Sequence, residues 1–173
     1  MNEVLQSELK KILNGRFSQS ESTRANYARG EDTYDPVLSE AVVFPETNEE
    51  VSKILKLCNE HKIPVVPFGT GTSLEGNVVG NENGITISLE KMNKVLSVNA
   101  EDFDCRVQAC VTKEQLNEYL REDGVFFPID PGANAAIGGM ASTSASGTMA
   151  VKYGTMKTVI SGLTVVLPNG DII

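Results

Sequence analysis

Tryptophan is absent from this 173-residue sequence, histidine occurs once, and the three cysteines lack the C-x-x-C spacing of metal and redox sites. His61 alone cannot build a metal centre, because a bound metal needs several protein ligands. The odd number of cysteines predicts that Cys58, Cys105 and Cys110 are reduced thiols in the core of a cytoplasmic protein. We therefore expect neither a metal ion nor a disulfide.

Positive charge is also scarce. The sequence has 15 Lys and Arg against 23 Asp and Glu, which gives a net charge of −8, and it has no basic cluster with interleaved aromatic residues. A negative field opposes binding to nucleic acid and anionic membranes, and no apolar run is long enough to span a membrane. Backbone amides must therefore hold any phosphate that the protein binds.

The N-terminal part combines a helix with a polar leader. Residues 2–13 are predicted to form a helix that ends at Asn14-Gly15. Residues 16–39 show no sustained period, and we interpret them as an extended leader that lies over another part of the fold. The apolar face of the helix would consist of Val4, Leu5, Leu9, Ile12 and Leu13.

The strand and helix signals that follow predict a β-α-β unit. Residues 41–45 and 63–67 are short apolar strands, and between them Thr47 and Glu50 form the capping box of a helix. Such a unit joins parallel strands. Another helix begins at Thr112, and further strands are predicted at residues 85–89, 95–98, 105–109 and 160–167.

The last residues predict an interrupted hairpin. Residues 168–171 are a turn signal, and residues 172–173 begin the return strand. A domain rarely ends two residues into the second arm of a hairpin, because backbone groups are then left unpaired. We therefore expect a fragment of a longer protein, with Ile172 and Ile173 at an open sheet edge.

The first of two glycine-rich segments, residues 69–76, follows a strand as a phosphate-binding loop should. It departs from the dinucleotide fingerprint at Leu74, which stands where the third glycine belongs. It also departs from the Walker pattern, because Asn77 instead of lysine follows Gly76. The remaining interpretations are a loop that presents backbone amides to a ligand and a flexible turn.

The second segment is denser in small residues, since fifteen of the twenty residues from 131 to 150 are Gly, Ala, Ser or Thr. Small side chains let the backbone approach a flat, phosphate-bearing ligand and supply amide and hydroxyl donors. A tightly packed structural corner is the alternative interpretation.

From about residue 40 to the end, the order of motifs resembles the FAD-linked oxidase domain of glycolate oxidase flavin subunits and D-lactate dehydrogenases, within the vanillyl-alcohol-oxidase group. The matching stretches are Val43-Phe44-Pro45-x-Thr47-x-x-Glu50-Val51, Pro67-x-Gly69-x-Gly71-Thr72-Ser73-Leu74-x-Gly76, Phe127-Pro128-x-Asp130-Pro131-Gly132, Ile137-Gly138-Gly139-Met140-Ala141-x-Thr143-x-Ala145-Ser146-Gly147, Tyr153-Gly154-Thr155-Met156 and Gly162-Leu163-x-Val165-Val166-Leu167-x-x-Gly170.

The resemblance implies an α+β fold with two lobes that hold FAD between them. An N-terminal helix and leader (residues 1–37) would precede a small parallel β-α-β lobe (residues 38–102). The start of a mainly antiparallel second lobe (residues 103–173) would follow. We therefore expect the two glycine-rich segments to line one cleft, although about 60 residues separate them.

The resemblance also implies which residues bind FAD. Residues 67–73 would wrap the pyrophosphate with main-chain amides, and residues 130–136 would line the flavin and ribityl chain. Residues 138–139, both glycine, would allow the cofactor to pass close to the backbone. Residues 143–146 would donate to the pyrophosphate or ribose, and the backbone near Val165 would face the adenine. The set is Pro67, Phe68, Gly69, Thr70, Gly71, Thr72, Ser73, Asp130, Pro131, Gly132, Ala133, Asn134, Ala135, Ala136, Gly138, Gly139, Thr143, Ser144, Ala145, Ser146 and Val165.

Two departures from the family pattern affect what the resemblance implies. Phe68 occupies a position often held by arginine, and the loop lacks the histidine that some relatives use to attach flavin, so we expect noncovalent FAD. No residue is named as catalytic, because the catalytic groups would lie in a missing C-terminal cap domain after Ile173. For the same reason we expect the chain by itself to bind no FAD.

The parent enzyme would oxidise a small-molecule 2-hydroxy acid, glycolate or D-lactate, with redox chemistry that belongs to the cofactor. The same flavin fold acting on a different alcohol, or as a reductase, is the first alternative. A non-enzymatic nucleotide-binding module is the second.

Overall fold

The computed structural model describes residues 3–173, and these residues form two compact units. The first unit combines the residues up to Lys91 with Thr164–Ile173, and the second unit is Met92–Leu163.

The described residues of the first unit build a four-stranded sheet with three helices. In chain order the elements are α1 (Glu3–Leu13), β1 (Phe17–Ser18), α2 (Glu21–Asn26), β2 (Ala41–Val43), α3 (Asn48–Glu60), β3 (Val65–Phe68) and β4 (Ile85–Ser88). The strand order is β1-β2-β4-β3, in which β4 is parallel to both neighbours and β1 is antiparallel to β2. The predicted parallel β-α-β unit is confirmed, with β4 between its two strands.

Helix α1 packs through one face, since Leu5, Leu9 and Leu13 recur every four residues and are fully buried. Its predicted end is confirmed, because residues 14 and 15 both adopt positive φ. The predicted face is wrong at Val4, which is 61% exposed. At about 100° per residue, Val4 lies far around the helix from Leu9.

Helix α3 begins at the predicted cap, where Thr47 Oγ1 accepts a hydrogen bond from the Glu50 amide (3.2 Å). The Glu50 carboxylate accepts from the Glu46 amide (2.7 Å) and pairs with both terminal guanidinium nitrogens of Arg16 (2.5 and 2.8 Å). Arg16 also donates to the carbonyl of Phe44 (2.8 Å). The hydrogen bond from Arg16 lowers the pKa of Glu50 despite desolvation, and the pair ties the end of α1 to the start of α3.

Strand β4 is buried along its whole length, although apolar and polar residues alternate in it. Ile85 and Ile87 join the core formed by α1, α3 and β2. Thr86 faces away from these isoleucines, and its hydroxyl meets that of Ser39 at 2.8 Å. The polar face of a central strand is therefore satisfied internally instead of by water.

The predicted leader is more structured than the sequence indicates. Residues 17–18 pair with β2, and residues 21–26 form α2, which Ser20 caps by accepting from the Thr23 amide (3.2 Å). A two-residue strand and a six-residue helix are too short to produce a recognisable period. The remainder of the leader is irregular.

The second unit contains a short antiparallel hairpin and several short helices. Its described elements are β5 (Val95–Asn99), β6 (Asp104–Val107), α4 (Lys113–Leu120), a 3-10 turn (Arg121–Asp123), α5 (Ile137–Ser142), α6 (Ala150–Tyr153) and α7 (Met156–Val159). Thr112 caps α4, as predicted, by accepting from the Gln115 amide (3.2 Å). Six of its buried apolar residues form two clusters, which are Val111, Leu116 and Leu120, and Ile129, Met140 and Met156. The predicted α+β class is confirmed.

The predicted strand at residues 160–167 does not form over its whole length. Residues 160–164 are irregular, and pairing begins only at Val165, which exchanges two backbone hydrogen bonds with Ile173 (2.9 Å each). No other strand in residues 3–173 lies alongside the first half of this stretch. A strand without a partner cannot form a ladder, whatever its β propensity.

The predicted turn at residues 168–171 is confirmed. The Gly170 amide donates to the carbonyl of Leu167 (2.7 Å), and Ser52 on α3 donates to the carbonyl of Gly170 (2.5 Å). Ile172 and Ile173, on the return arm, are 42% and 68% exposed.

The three cysteines occupy different environments. Cys58 and Cys110 are buried, and Cys105 is half-buried. Burial raises the pKa of the Cys58 thiol to about 11. A thiol that stays protonated is a poor nucleophile, so Cys58 suits a core position.

Candidate functional site

The glycine loop at residues 69–76 follows β3, at the carboxyl end of a parallel strand. Gly71 adopts φ +74°, a conformation that side chains rarely take. The backbone N–H groups of Gly71, Thr72 and Ser73 meet no acceptor within residues 3–173. Successive amides of this kind are the donors with which a backbone binds a phosphate. The first unit therefore carries three successive backbone donors that the described residues leave unused.

The hydroxyl groups of this loop have different environments. Those of Thr70 and Thr72 approach each other at 3.4 Å. Ser73 donates to Asn77 Oδ1 (3.2 Å) and lies 3.4 Å from the Glu75 amide, from which it accepts. The Ser73 hydroxyl therefore helps to shape the loop, whereas Thr72, half-buried, offers a further donor beside the amides.

Phe68, the last residue of β3, supports the loop through the packing of its side chain. Its side chain is only 7% exposed and packs edge-to-face against Tyr27, with ring centroids 5.0 Å apart. Its neighbour Pro67 is exposed in β3, and Gly69 is half-buried. Phe68 can therefore act on a ligand of this loop only through its backbone, and its ring is a support for the loop.

Sequence reasoning missed residues of the leader that touch this loop. The Glu31 amide donates to the carbonyl of Gly71 (2.9 Å), and Gly30 lies against the same carbonyl. The sequence offers no signal for this contact, because Asp32, which is of a residue type that bonds its own backbone, indicates only a local turn.

In the second unit, Asp130 organises the start of the other predicted segment. Its carboxylate accepts a hydrogen bond from Lys113 Nζ (2.7 Å). The hydrogen bond and charge of Lys113 lower the pKa of Asp130. A Cβ on Gly147 would lie 1.7 Å from the carbonyl oxygen of Asp130, so the backbone passes there in close contact.

Helix α4 anchors the rest of residues 130–136. Asn134 Oδ1 accepts from the Glu114 amide (3.1 Å), and the carbonyl of Ala135 accepts from the Lys113 amide (3.1 Å). Ala136 is buried, whereas Gly132 and Asn134 are exposed and Pro131 and Ala133 are half-buried. These contacts fix the segment on the first turn of α4.

The predicted residues from 138 to 146 divide between internal and exposed roles. Gly138 lies against Ala109, whose Cβ would be 2.8 Å from an added Cβ, whereas Gly139 faces open space. Thr143 donates its hydroxyl to the carbonyl of Gly139 (3.1 Å). Ala145 packs on the cluster of Ile129, Met140 and Met156, and Ser144 and Ser146 are exposed. 

Val165, the remaining predicted residue, lies in the C-terminal hairpin of the first unit. Its backbone amide and carbonyl both pair with Ile173, and the residue is 38% exposed.

Residues 3–173 contain neither a group of side chains suited to a metal ion nor a helix suited to crossing a membrane. No group of three or more His, Cys, Asp or Glu side chains in residues 3–173 could hold a metal ion. None of the helices in the same range combines the length and hydrophobicity needed to cross a membrane.

Residues 39–173 match the family model of the FAD binding domain. This match covers most of the chain, so the chain belongs to the FAD-binding-domain family. The family predicted from the motifs is confirmed, and FAD is its cofactor.

The chain is similar to enzymes that are much longer. It is 43% identical over 169 residues to "D-lactate dehydrogenase [cytochrome], mitochondrial" of Arabidopsis thaliana, which covers 96% of the chain and 30% of that protein. It is 33% identical over 159 residues to "Glycolate oxidase subunit GlcD" of Bacillus subtilis (strain 168), which covers 91% of the chain and 34% of that protein. The chain thus spans about a third of the length of these relatives.

A solved structure shows the same fold. An "alkyldihydroxyacetonephosphate synthase" superposes with a TM-score of 0.90 at 22% identity, over 98% of the chain and 35% of that structure. Identity at this level supports the fold alone.

Proposed function

We propose that this chain is the FAD-binding part of an oxidoreductase that oxidises a 2-hydroxy acid, D-lactate or glycolate. FAD, when bound, supplies the hydride-accepting chemistry. The carrying observation is the set of amides on Gly71, Thr72 and Ser73, which have no acceptor in residues 3–173, in a chain of the FAD-binding-domain family. Of these two substrates we favour D-lactate, because this chain shares more identical residues with the D-lactate dehydrogenase than with the glycolate oxidase subunit.

In this proposal, residues 67–73 hold the pyrophosphate through backbone amides. Residues 130–136 line the flavin and ribityl chain, and residues 138–139 allow close passage of the cofactor. Residues 143–146 donate to the pyrophosphate or ribose, and the backbone at Val165 faces the adenine. Lys113 supports residues 130–136 by fixing Asp130, which it contacts at 2.7 Å. Attachment of FAD is noncovalent, since no histidine lies in either glycine-rich segment.

The proposal extends to parts of the enzyme outside this sequence. A cap domain would follow residue 173 and would supply the substrate pocket and the catalytic groups. We also propose that the chain divides into residues 1–37, 38–102 and 103–173 and that the protein is cytoplasmic.

The test is FAD binding by the full-length protein that carries this chain, with Gly71→Ala as the variant. A Cβ on Gly71 would meet the Phe68 ring at 2.8 Å, at φ +74°, so the loop must change shape to accept it. We expect the FAD Kd, measured by flavin fluorescence, to rise at least about tenfold, because hydrogen bonds to a charged group are lost.

The matched control is Gly15→Ala, which has a similar φ of +86° but open space around the new Cβ. It should bind FAD like the unchanged protein. Hydrogen exchange should also show that FAD protects both residues 69–73 and residues 130–146. Equal FAD affinity in Gly71→Ala and Gly15→Ala, or protection of only one segment, contradicts the proposal.

A further inference from the structure

Part of the leader lies directly on the glycine loop. The carbonyl of Ala28 accepts from the amides of Val37 (3.1 Å) and Gly80 (3.0 Å), and the Glu31 amide donates to the carbonyl of Gly71 (2.9 Å). Residues 28–34, the strap, therefore contact the chain at both ends of the stretch from residue 71 to residue 80.

The strap leaves no room for side chains at the point of contact. A Cβ on Gly30 would lie 2.4 Å from the carbonyl oxygen of Gly71 and 3.1 Å from that of Ser73. On its other side, a Cβ on Gly71 would lie 2.8 Å from the ring of Phe68, which is buried. Gly71 is thus held between the strap backbone and an aromatic ring, next to the amides without acceptors.

Asp32 fixes the shape of the strap. Its side chain is buried, with 7% exposed, and its two carboxylate oxygens accept from the amides of Gly30 (3.1 Å) and Tyr34 (3.0 Å). A buried carboxylate is stable only with such donors. Both bonds stay within the strap, so Asp32 acts on the loop through Gly30 and Glu31.

We propose that the strap is part of the FAD site and that Asp32 is its positioning residue. It holds the amides of Gly71, Thr72 and Ser73 in the conformation that receives the pyrophosphate, and this inference rests on the proposed function. When the strap opens, the fraction of molecules in that conformation falls, and the apparent affinity falls by the same fraction.

The first experiment needs no FAD and uses this chain. Asp32→Asn removes one of the two acceptors, since an amide NH₂ cannot accept. Asp35→Asn makes the same charge change at an exposed residue just after the strap. We expect Asp32→Asn to speed NMR-detected exchange of the Glu31 amide about tenfold and to shift the amide resonances of residues 71–73. Asp35→Asn should change neither. If the two variants show the same exchange rate and the same amide resonances, the strap does not position the loop.

The second experiment measures FAD binding by the full-length protein. We expect the FAD Kd of Asp32→Asn to rise about three- to tenfold, with altered ³¹P shifts of FAD bound at saturation, and that of Asp35→Asn to stay unchanged. A structural role alone would lower thermal stability but leave the ³¹P shifts of bound FAD as they are.

The outcomes separate the two proposals. If Asp32→Asn moves the loop amides but binds FAD like Asp35→Asn, the strap is not part of the FAD site. If the unchanged full-length protein binds no FAD, the proposed function falls, and this role of the strap falls with it, whatever the exchange rates show. Gly30→Ala, checked for folding by thermal unfolding, should weaken FAD binding more than Asp32→Asn.

Discussion

The two glycine-rich segments look alike in sequence but use small residues differently. In the loop at residues 69–76, Gly71 provides a positive φ, and the amides beside it keep no partner within residues 3–173. In the segment from residue 130 to residue 147, Gly138 and Gly147 instead make room for Ala109 and Asp130. Low side-chain volume thus predicts close backbone approach, but it does not say whether the approaching group is a ligand or the protein itself.

The substitution Gly147→Ala, which adds a methyl group, is the strongest test of this comparison. The added Cβ would lie 1.7 Å from the carbonyl oxygen of Asp130, and only backbone movement can relieve that contact. We expect Gly147→Ala to destabilise the second unit by about 3 kcal/mol or more, measured by hydrogen exchange of residues 92–163.

Gly139→Ala is the matched control, because Gly139 lies inside α5 and faces open space. It should be neutral or stabilising by about 0.5–1 kcal/mol, the ordinary preference of a helix for alanine. If both variants had the same stability, Gly147 would not be a packing position and the comparison would fail.

The next prediction concerns how much of the FAD site this chain holds. The chain spans about a third of the length of its relatives, so we expect contacts from the remainder to contribute to affinity. Losing two or more hydrogen bonds to a charged ligand, each about 1.5–3 kcal/mol, weakens binding by at least two to three orders of magnitude.

We therefore expect the purified 173-residue chain to be colourless and the full-length protein to be yellow. Absorbance in the flavin band, before and after addition of FAD, measures this. Co-purification of the chain with one FAD per molecule would show that the two segments are sufficient.

The sequence predicted the local features of the fold well. The caps at Thr47 and Thr112 and the end of α1 depend on neighbours in the chain, and all three are where the pattern indicates. The glycine loop after β3 was also found, since a break in apolar pattern after a strand is a local signal. 

What the sequence could not predict depends on distant partners. The position of β4 between β2 and β3, the failure of the strand at residues 160–164 and the contact of Gly30 with Gly71 all need the folded neighbour to be known. Phe68 shows the same limit for the site, because its burial against Tyr27 follows from the leader's path and not from its own motif.

The smallest expected effects are changes in stability when either of the two ion pairs that anchor these regions is disrupted. Arg16 and Glu50 in the first unit are 22% and 18% exposed, and Lys113 and Asp130 in the second are 16% and 38% exposed. Hydrogen bonding to the cation lowers the pKa of both carboxyl groups in the folded protein. The unfolded state therefore binds more protons in the acid range, and each pair stabilises the fold above the ordinary carboxyl pKa.

This stabilisation should be lost as the pH falls from about 5 through the lowered pKa of each group. We expect Glu50→Gln to cost about 1 kcal/mol at pH 7 and progressively less as the pH falls through the lowered pKa of Glu50, so that its unfolding curve converges with that of the unchanged chain in acid. Asp130→Asn should show the same convergence with a smaller difference, since solvent screens the more exposed carboxylate. Glu118→Gln, which disrupts the exposed pair with Arg121, is the control and should leave stability unchanged at every pH. A pH-independent loss in Glu50→Gln would mean that Glu50 stabilises the fold through packing and the cap of α3, with no contribution from its charge.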